Sequence, residues 1–522
     1  MTLGAQHSKP KLYRSRVDVD AMNEPSLPKK NTPLWMAIVP IVVLIALLVI
    51  NVRIYADNAS SGPNQIALLL SAATAAVFGL FLKFNFSFML KGIVRSLNSS
   101  MTAILLLLLI GSLTGTWMIS GVVPAMIYYG LDLLNPRIFL FASVIVCAIV
   151  SVATGSSWST IATVGVALLG IGEALGVSKP MAAGAIISGA YFGDKLSPLS
   201  DTTNLAAAMA EVDLVAHIKY MLWTTVPSIV ITMIIFLVIG FTGETATVNS
   251  VDTATLKEAI SEKFNITPWL FLVPVAVLGL VMFKVDAIAA LFVGVLLGGI
   301  FAVAFQSDVV REVSKQPTEA VTDKEGKVTP KANYVTHAYS AVVNAMATGT
   351  EVTSDNDSAA DLLKGKGMEG MLNTIWLIVT AMCFGGIMEA CGFLKRITEP
   401  LVRYAKSDGS LVATTAGSCM FVNVTASDQY LSIVVPGRMF RESFEERGLD
   451  GRNLSRTLED AGTVTSVLVP WNTCGAAQMG VLGVAVMSFA PYCFFNIISP
   501  FMTMAYAFIG IKIARIAANK DS

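Results

Sequence analysis

Residues 188–204 read SGAYFGDKLSPLSDTTN, and this stretch decides the fold because it interrupts apolar sequence with two aspartates, a lysine and a proline. A charge near the centre of a bilayer costs about 2.5–3.5 kcal/mol, so a carboxylate there normally faces a cavity and has a function. Backbone that leaves the helical conformation within lipid is tolerated only against protein or water. If the surrounding sequence crosses a membrane, the stretch predicts an interrupted helix that faces a polar cavity.

The composition of the whole chain indicates that the sequence around this stretch crosses a membrane. The chain has 522 residues, 54% hydrophobic and 14% charged, with a mean hydropathy of +0.67. Soluble proteins carry about 25% charged residues. Apolar blocks at 35–51, 65–82, 222–241 and 287–305 are each near the length that crosses about 30 Å of hydrocarbon. We therefore predict an all-α polytopic membrane protein with about 10–13 membrane segments.

A similar pattern of polar interruptions occurs twice in the chain. In the first half, residues 151–163 (SVATGSSWSTIAT) precede 188–204, and in the second half 417–431 (GSCMFVNVTASDQYL) precede 458–476 (LEDAGTVTSVLVPWNTCGA). The offsets are 262 residues from Gly155 to Gly417, 266 from Asp194 to Asp460 and 268 from Asn204 to Asn472. Interrupted segments at corresponding places in two halves predict a transporter site between two repeats, near the bilayer midplane.

Four aspartates in these segments are candidate proton- and cation-binding residues: Asp194, Asp201, Asp428 and Asp460. Asp201 and Asp428 have the most polar neighbours, whereas Asp194 could instead pair with Lys195, and Asp460 could end a helix at the membrane surface. Burial raises a carboxyl pKa and a nearby cation lowers it. A proton and a sodium ion can therefore compete for one carboxylate, and that competition couples their opposed movement.

Neutral oxygen donors surround the aspartates and suit a hard cation such as sodium. The candidates are Ser156, Ser157, Ser200, Thr202, Thr203 and Asn204 in the first half, and Asn423, Thr425, Thr463, Thr465, Ser466, Asn472 and Thr473 in the second. Serine and threonine also cap helices and hold membrane helices together, so a packing role is the alternative for each hydroxyl.

Charge and polarity divide the chain into five regions. The tail 1–33 carries six basic residues beside the first span, which favours a cytoplasmic N-terminus. Membrane halves at 34–305 and 371–512 flank a polar insertion at 306–370, which we expect outside the membrane on the external face, and 513–522 form a short tail. A net charge of zero argues against nucleic acid as a partner.

Four blocks of sequence resemble the signature stretches of the NhaC-type sodium/proton antiporter family. They are GSSWSTIATVGVAL (155–168), SGAYFGDKLSPLSDTTNLA (188–206), TASDQYLSIVVPGRMF (425–440) and SRTLEDAGTVTSVLVPWNTCGA (455–476). The resemblance covers roughly residues 34 to 510. It implies a bacterial cytoplasmic membrane protein with two inverted repeats, re-entrant hairpins and a homodimeric scaffold. It also implies exchange of cytoplasmic sodium or lithium for external protons by alternating access, without a cofactor.

Three other functions stay open at this point. The same family includes exchangers of small organic acids such as malate and lactate, whose carboxylates could bind at the N-termini of half-helices. A channel also needs a polar pore. An intramembrane serine protease needs a histidine beside its nucleophile, but His7, His217 and His337 all lie outside the predicted apolar cores.

Overall fold

The computed structural model describes residues 32–242, 253–317, 321–322, 328–329, 331–354 and 356–516. The basic tail predicted at 1–33 therefore lies outside the described residues except for its last two positions. The described chain is almost entirely helical, with two short antiparallel strand pairs. The predicted all-α fold is confirmed.

In the described ranges before the insertion there are thirteen α-helices. They are α1 (Leu34–Tyr55), α2 (Pro63–Phe81), α3 (Phe86–Ile119), α4 (Val122–Leu133), α5 (Pro136–Thr154), α6 (Ser157–Thr160), α7 (Val166–Ala174), α8 (Lys179–Leu196), α9 (Asp201–Met209), α10 (Leu214–Thr242), α11 (Thr253–Lys263), α12 (Leu272–Met282) and α13 (Ala287–Phe305). A π-helical turn, Ile161–Gly165, joins α6 to α7.

The insertion and the second half complete the described fold. The insertion contains α14 (Ser307–Val313), α15 (Tyr334–Ala347) and α16 (Asp357–Leu362), with β1 (Val321–Thr322) pairing with β2 (Val328–Thr329) and β3 (Thr350–Glu351) with β4 (Lys364–Gly365). The second half contains α17 (Leu372–Ala390), α18 (Phe393–Tyr404), α19 (Asp408–Thr425), α20 (Gln429–Glu446), α21 (Gly451–Thr457), a π-helix (Leu458–Thr463), α22 (Thr473–Leu482), α23 (Val486–Phe489) and α24 (Phe494–Ile509).

Eight helices in the described ranges are long and apolar enough to span a membrane, and there are up to ten if each of two sharply bent pairs counts as one span. One bent pair is α22 with the helical segment that follows it, which turns by 90°. Helices α8, α9, α19 and α20, which flank two of the interruptions, are not among the eight. The chain is a multi-pass membrane protein whose interrupted helices carry the candidate site.

Helices α5 and α8 pack with their backbones in close contact, because Gly189 and Gly193 of α8 face α5. A Cβ atom at Gly189 would lie 2.3 Å from the Val144 carbonyl oxygen, and one at Gly193 would lie 2.4 Å from that of Ala148. Small residues four apart allow such an approach between membrane helices. The contact brings Asp194, the next residue along, beside the end of α5.

The insertion packs on α3 rather than standing apart from the membrane helices. The Ser112 hydroxyl donates a hydrogen bond of 2.9 Å to the Met346 carbonyl oxygen, and a Cβ atom at Gly115 would lie only 1.8 Å from that of Ala345. Lys366 reaches the other way and donates 2.8 Å to the Gly480 carbonyl oxygen, near the C-terminus of α22. A cation is favourable at that end of a helix. The insertion therefore connects α3 to α22.

A glycine pair tests this packing. We expect Gly115→Ala to lower the free energy of unfolding by about 1–3 kcal/mol, because the added methyl group must push the insertion away from α3. Gly417→Ala is the matched control: Gly417 lies within α19 with nothing within 4 Å of an added Cβ, so the change should stabilise by about 0.5–1 kcal/mol. Thermal unfolding of the purified proteins in detergent measures both. Equal midpoints for the two variants would contradict the described contact.

The segment 510–516 forms a strap across the turn between α20 and α21. Ala514 accepts a hydrogen bond of 3.1 Å from the Asp450 amide, and the Ile516 amide donates 2.9 Å to Gly448. Arg456, which is fully buried, donates 3.1 Å to the Lys512 carbonyl oxygen and lies over the Tyr220 ring. The strap fixes the start of the α21 segment against α10.

Candidate functional site

Each of the four interruptions ends with a polar side chain that caps the next helix. Ser156 caps α6, Ser200 caps α9, Asp428 caps α20 and Asn472 caps α22, accepting amide hydrogen bonds of 3.2, 3.5, 2.9 and 3.0 Å respectively. Such residues satisfy amides at helix N-termini that have no partner within the helix. Four of the polar side chains noted in the sequence therefore mark the starts of helices.

The two interruptions of the first half lie against each other. Asp194 is buried and accepts hydrogen bonds from the Ser157 amide (3.2 Å) and hydroxyl (2.7 Å). Gly155 has a φ of +70°, and a Cβ atom there would lie 2.5 Å from the Leu199 side chain. Glycine tolerates this left-handed backbone conformation and the close contact with Leu199, whereas a residue with a Cβ atom would be strained there.

The two interruptions of the second half meet in the same way. The Thr473 amide donates 2.9 Å to the Ser427 carbonyl oxygen, and the Asn472 side-chain amide donates 3.1 Å to the Asn423 side-chain oxygen. Asn423 in turn donates 3.1 Å to the Thr465 hydroxyl. Ser427 adopts a φ of +61°, which is uncommon for a residue other than glycine and is found at functional sites.

The two pairs of interruptions face each other, and three of the four predicted aspartates lie there. Tyr430, in the first turn of α20, interacts electrostatically with Asp194, Asp201 and Asp428. Asp428 is 2% exposed, whereas Asp201 is exposed at the first position of α9. The structure thus brings three carboxylates to one place: those of Asp194 and Asp428 are buried, and that of Asp201 is exposed. We call Asp194, Asp201 and Asp428 the carboxylate cluster.

Asp460 lies in a different environment from this cluster. It forms an ion pair with Lys195, in which both side chains are fully buried, and it also accepts 2.9 Å hydrogen bonds from Thr224 and Ser499. Lys195 therefore does not pair with its neighbour Asp194. Asp460 also does not end a helix at the membrane surface, since it lies within the π-helix Leu458–Thr463. The ion pair joins the two halves of the chain.

The hydroxyl and amide groups of several candidate residues donate hydrogen bonds only to residues that are close in the sequence. Thr425 donates to Phe421 within α19, Thr465 to Ala461 and Ser466 to Thr463, while Thr203 donates 3.0 Å to the Lys195 carbonyl oxygen. Ser200 bonds to Thr202, Asn204 donates to Ser200, and Thr473 donates to Asn472. The packing interpretation fits Thr425 best, because its bond lies wholly within one helix.

One detail of the predicted repeat needs correction. Gly155 marks an interruption, but Gly417 and its neighbour Ser418 lie inside α19, and the second-half interruption falls at 426–428. The GS dipeptides are therefore not structural counterparts, because Gly417 has an ordinary helical conformation. The order of interrupted helices nevertheless recurs in both halves.

Sequence reasoning missed the residues around the Lys195–Asp460 pair. Glu459 is fully buried, and neither of its carboxylate oxygens has a hydrogen-bond donor within the described structure. Thr224 and Ser499 sit in apolar spans, where single hydroxyls give no signal. The two adjacent acidic residues at 459–460 could have indicated a buried charged site. Their proximity to Arg456, however, also fits a helix that ends at the membrane surface.

The site offers mainly oxygen ligands. In the described ranges, no three His, Cys, Asp or Glu side chains are arranged to hold a metal ion together. The oxygens around the carboxylate cluster belong to hydroxyls, amides and the main chain, which suit a hard monovalent cation. Interrupted helices with polar N-termini, paired between two halves of a multi-pass protein, define the class of secondary transporters.

Comparison with known proteins identifies the family. A profile described as the Na⁺/H⁺ antiporter family matches residues 189–314 and 331–511. The chain is 37% identical to the Na⁺/H⁺ antiporter NhaC of Alkalihalophilus pseudofirmus, over 86% of this chain and 91% of that one. It is 35% identical to the malate-2H⁺/Na⁺-lactate antiporter of Bacillus subtilis (86% and 90%) and 32% identical to the arginine/ornithine antiporter ArcD of Halobacterium salinarum (93% and 94%). The chain belongs to the Na⁺/H⁺ antiporter family, as its signature segments predicted, and is an antiporter.

Proposed function

We propose that this antiporter exchanges sodium or lithium from the cytoplasm for external protons. The observation that carries the proposal is the convergence of Asp194, Asp201 and Asp428 among the starts of half-helices from both halves. Protons and sodium compete for these carboxylates, so loading of one ion requires release of the other. The neutral oxygens nearby complete the shell of the bound cation.

Alternating access then carries the loaded site to the other side of the membrane. External protons displace the sodium ion there, and the proton gradient supplies the free energy. Each net charge moved is worth about 2.3 kcal/mol per 100 mV of membrane potential. The proposal includes a bacterial cytoplasmic membrane location and a homodimer with inverted repeats, which the family resemblance implies. It also includes a cytoplasmic N-terminus, which the six basic residues before the first span favour.

Exchange of small organic acids is the second candidate. Its support is that α9, α20 and α22 begin near one another, since helix N-termini favour anions. The names of two relatives also refer to organic substrates. Against it, the buried Lys195 is already neutralised by Asp460, and the carboxylate cluster would repel a second carboxylate. Sodium/proton exchange therefore fits the charges of the site better.

One experiment distinguishes the two candidates. The purified protein is reconstituted into liposomes that hold a pH-sensitive dye and an imposed proton gradient, with protein-free liposomes as the control. Sodium, lithium, potassium, malate, lactate, arginine and ornithine are added one at a time. Collapse of the gradient on sodium alone is the expected result. If sodium alone has no effect and an organic substrate is required, the second candidate replaces the first.

Asp201→Asn should reduce sodium-driven proton movement in these liposomes by at least about tenfold, because one competing carboxylate is lost. Asp201 is exposed at the first position of α9, so asparagine should leave the fold intact. Circular dichroism and size-exclusion chromatography check the fold. Full activity in this variant would remove Asp201 from the site.

A further inference from the structure

Glu459 is a buried acid whose carboxylate oxygens have no hydrogen-bond partner in the described structure. Its side chain is fully buried in the π-helix Leu458–Thr463, and neither carboxylate oxygen accepts a hydrogen bond from the described residues. Burying an ionised carboxylate without a partner is strongly unfavourable. Native structures rarely leave a buried polar group without a partner.

Lys195 cannot supply the missing charge on its own. It interacts electrostatically with Glu459, but its ammonium group is bonded to Asp460, whose other oxygen accepts a hydrogen bond from Thr224. Asp194 also interacts with Glu459 and adds negative charge. With Lys195 and Asp460 cancelling each other, Glu459 must be neutralised in another way, either by a proton or by a bound cation.

Two buried neutral side-chain oxygens on or against the same π-helix also have no hydrogen-bond partner in the described structure. Thr463, one turn along from Glu459, interacts with it and is one of them. Asn496 of α24 donates 2.8 Å to the Val464 carbonyl oxygen, which leaves its buried side-chain oxygen without a partner. A carboxylate, a hydroxyl and an amide oxygen form the kind of donor set that a hard cation prefers.

The local backbone is unusual at the same place. Residues 458–463 form a π-helix, and π-helical segments are rare and frequent at functional sites. Hydrogen bonds from Asn423 to Gly462 and from Gln429 to Thr463 fix this segment against α19 and α20. The π-helix is thus attached to the same helices that carry the carboxylate cluster.

We propose that Glu459, Thr463 and Asn496 form a sodium-binding site beside the Lys195–Asp460 ion pair. This inference rests on the proposed sodium/proton exchange and adds a ligand set to it. The carboxylate supplies the charge, and the two neutral oxygens supply part of the coordination shell. Sodium at this position stabilises the π-helix, which joins the second half of the chain to Lys195 of the first.

Sodium-dependent thermal unfolding of the purified, detergent-solubilised protein tests the site without requiring transport. The unfolding midpoint is measured in sodium chloride and in choline chloride at equal ionic strength. Because a ligand that binds only the folded state stabilises it, the wild-type midpoint should rise with sodium. Glu459→Gln should raise the sodium concentration that gives the half-maximal rise by at least tenfold. A wild-type protein with no sodium-specific rise would overturn the inference.

A second pair of variants separates the site from general effects of buried hydroxyls. Thr463→Ala removes a proposed ligand and should weaken the sodium response by about three- to tenfold, within the range of one neutral contact. Thr503→Ala removes another buried hydroxyl without a partner, on α24, and should leave the response unchanged. Equal responses of these two variants would overturn the inference even if Glu459→Gln fails to fold.

Transport kinetics distinguish failure of this inference from failure of the proposed function. In liposomes, Glu459→Gln should raise the KM for sodium by at least tenfold while potassium remains inactive. If the variant keeps the wild-type sodium KM and only its pH profile changes, the sodium site is refuted and sodium/proton exchange stands. If the wild type binds sodium in the unfolding assay but moves no protons in exchange, the proposed function fails and the site stands.

Discussion

Asp428→Asn should lower sodium-driven proton movement by up to about a hundredfold, because losing a buried charged contact forfeits up to about 3 kcal/mol. The fold should survive, since asparagine caps helix N-termini as well as aspartate does and can keep the 2.9 Å bond from the Leu431 amide. The change therefore removes the charge of the site while preserving the start of α20. The reconstituted dye assay measures the loss.

Asp450→Asn is the matched control for this variant. Asp450 also caps a helix, α21, and accepts a 2.9 Å bond from the Arg452 amide, but it lies in the turn beneath the C-terminal strap. Hydrogen bonds from Arg452 hold the pKa of Asp450 below its usual range. Loss of this partly exposed pair should cost up to about 1 kcal/mol of stability and leave transport unchanged. Equal activity of the two variants would argue against Asp428 as an ion-binding residue.

The second large effect concerns the Lys195–Asp460 ion pair. Lys195→Met leaves a buried carboxylate unpaired, and Asp460→Asn leaves a buried ammonium unpaired. Removing one partner of a buried pair typically costs about 3–5 kcal/mol. We therefore expect both single variants to give much less folded protein and lower unfolding midpoints than wild type, measured by fluorescence-detected chromatography of membrane extracts.

The double variant Lys195→Met with Asp460→Leu shows whether the effect arises from unpaired charge. Because apolar residues of similar volume can replace a buried ion pair at little cost, the double variant should recover most of the lost stability. Additive losses would show instead that each side chain acts separately. Transport by the recovered double variant then reports whether the pair has a role beyond holding the two halves together.

The membrane fold was predictable because hydropathy and helix length are local properties of sequence. Long apolar blocks such as 287–305 became α13 with little shift in their ends. The interruptions were predictable for the same reason, since aspartates and prolines at membrane depth are costly unless they face a cavity. The sequence indicated Asp194, Asp201, Asp428 and Asp460 as candidates for one site between two repeats, whereas the structure places Asp460 apart from the other three, on Lys195.

The partners of the charged residues were not predictable. Lys195 follows Asp194 directly, so sequence favours a pair between them, yet the helix directs the two side chains differently and Lys195 meets Asp460 across 265 positions. The burial of Glu459 depends on how α19, α20 and α24 pack against the π-helix, which no local pattern specifies. The insertion also gave no sign of its contact with α3, because that contact relies on glycines and main-chain carbonyls.

The contact between the insertion and α3 has a consequence for how the sequence can change during evolution. A Cβ atom added at Gly111 of α3 would lie 2.3 Å from the Gly367 carbonyl oxygen. One added at Gly115 would lie 1.8 Å from the Ala345 carbonyl oxygen. Larger side chains in α3 are compatible only with an insertion that follows a different path. Substitutions at these glycines should therefore covary with the length and sequence of the insertion, and a chimera that exchanges the insertion between relatives should exchange this face of α3 with it.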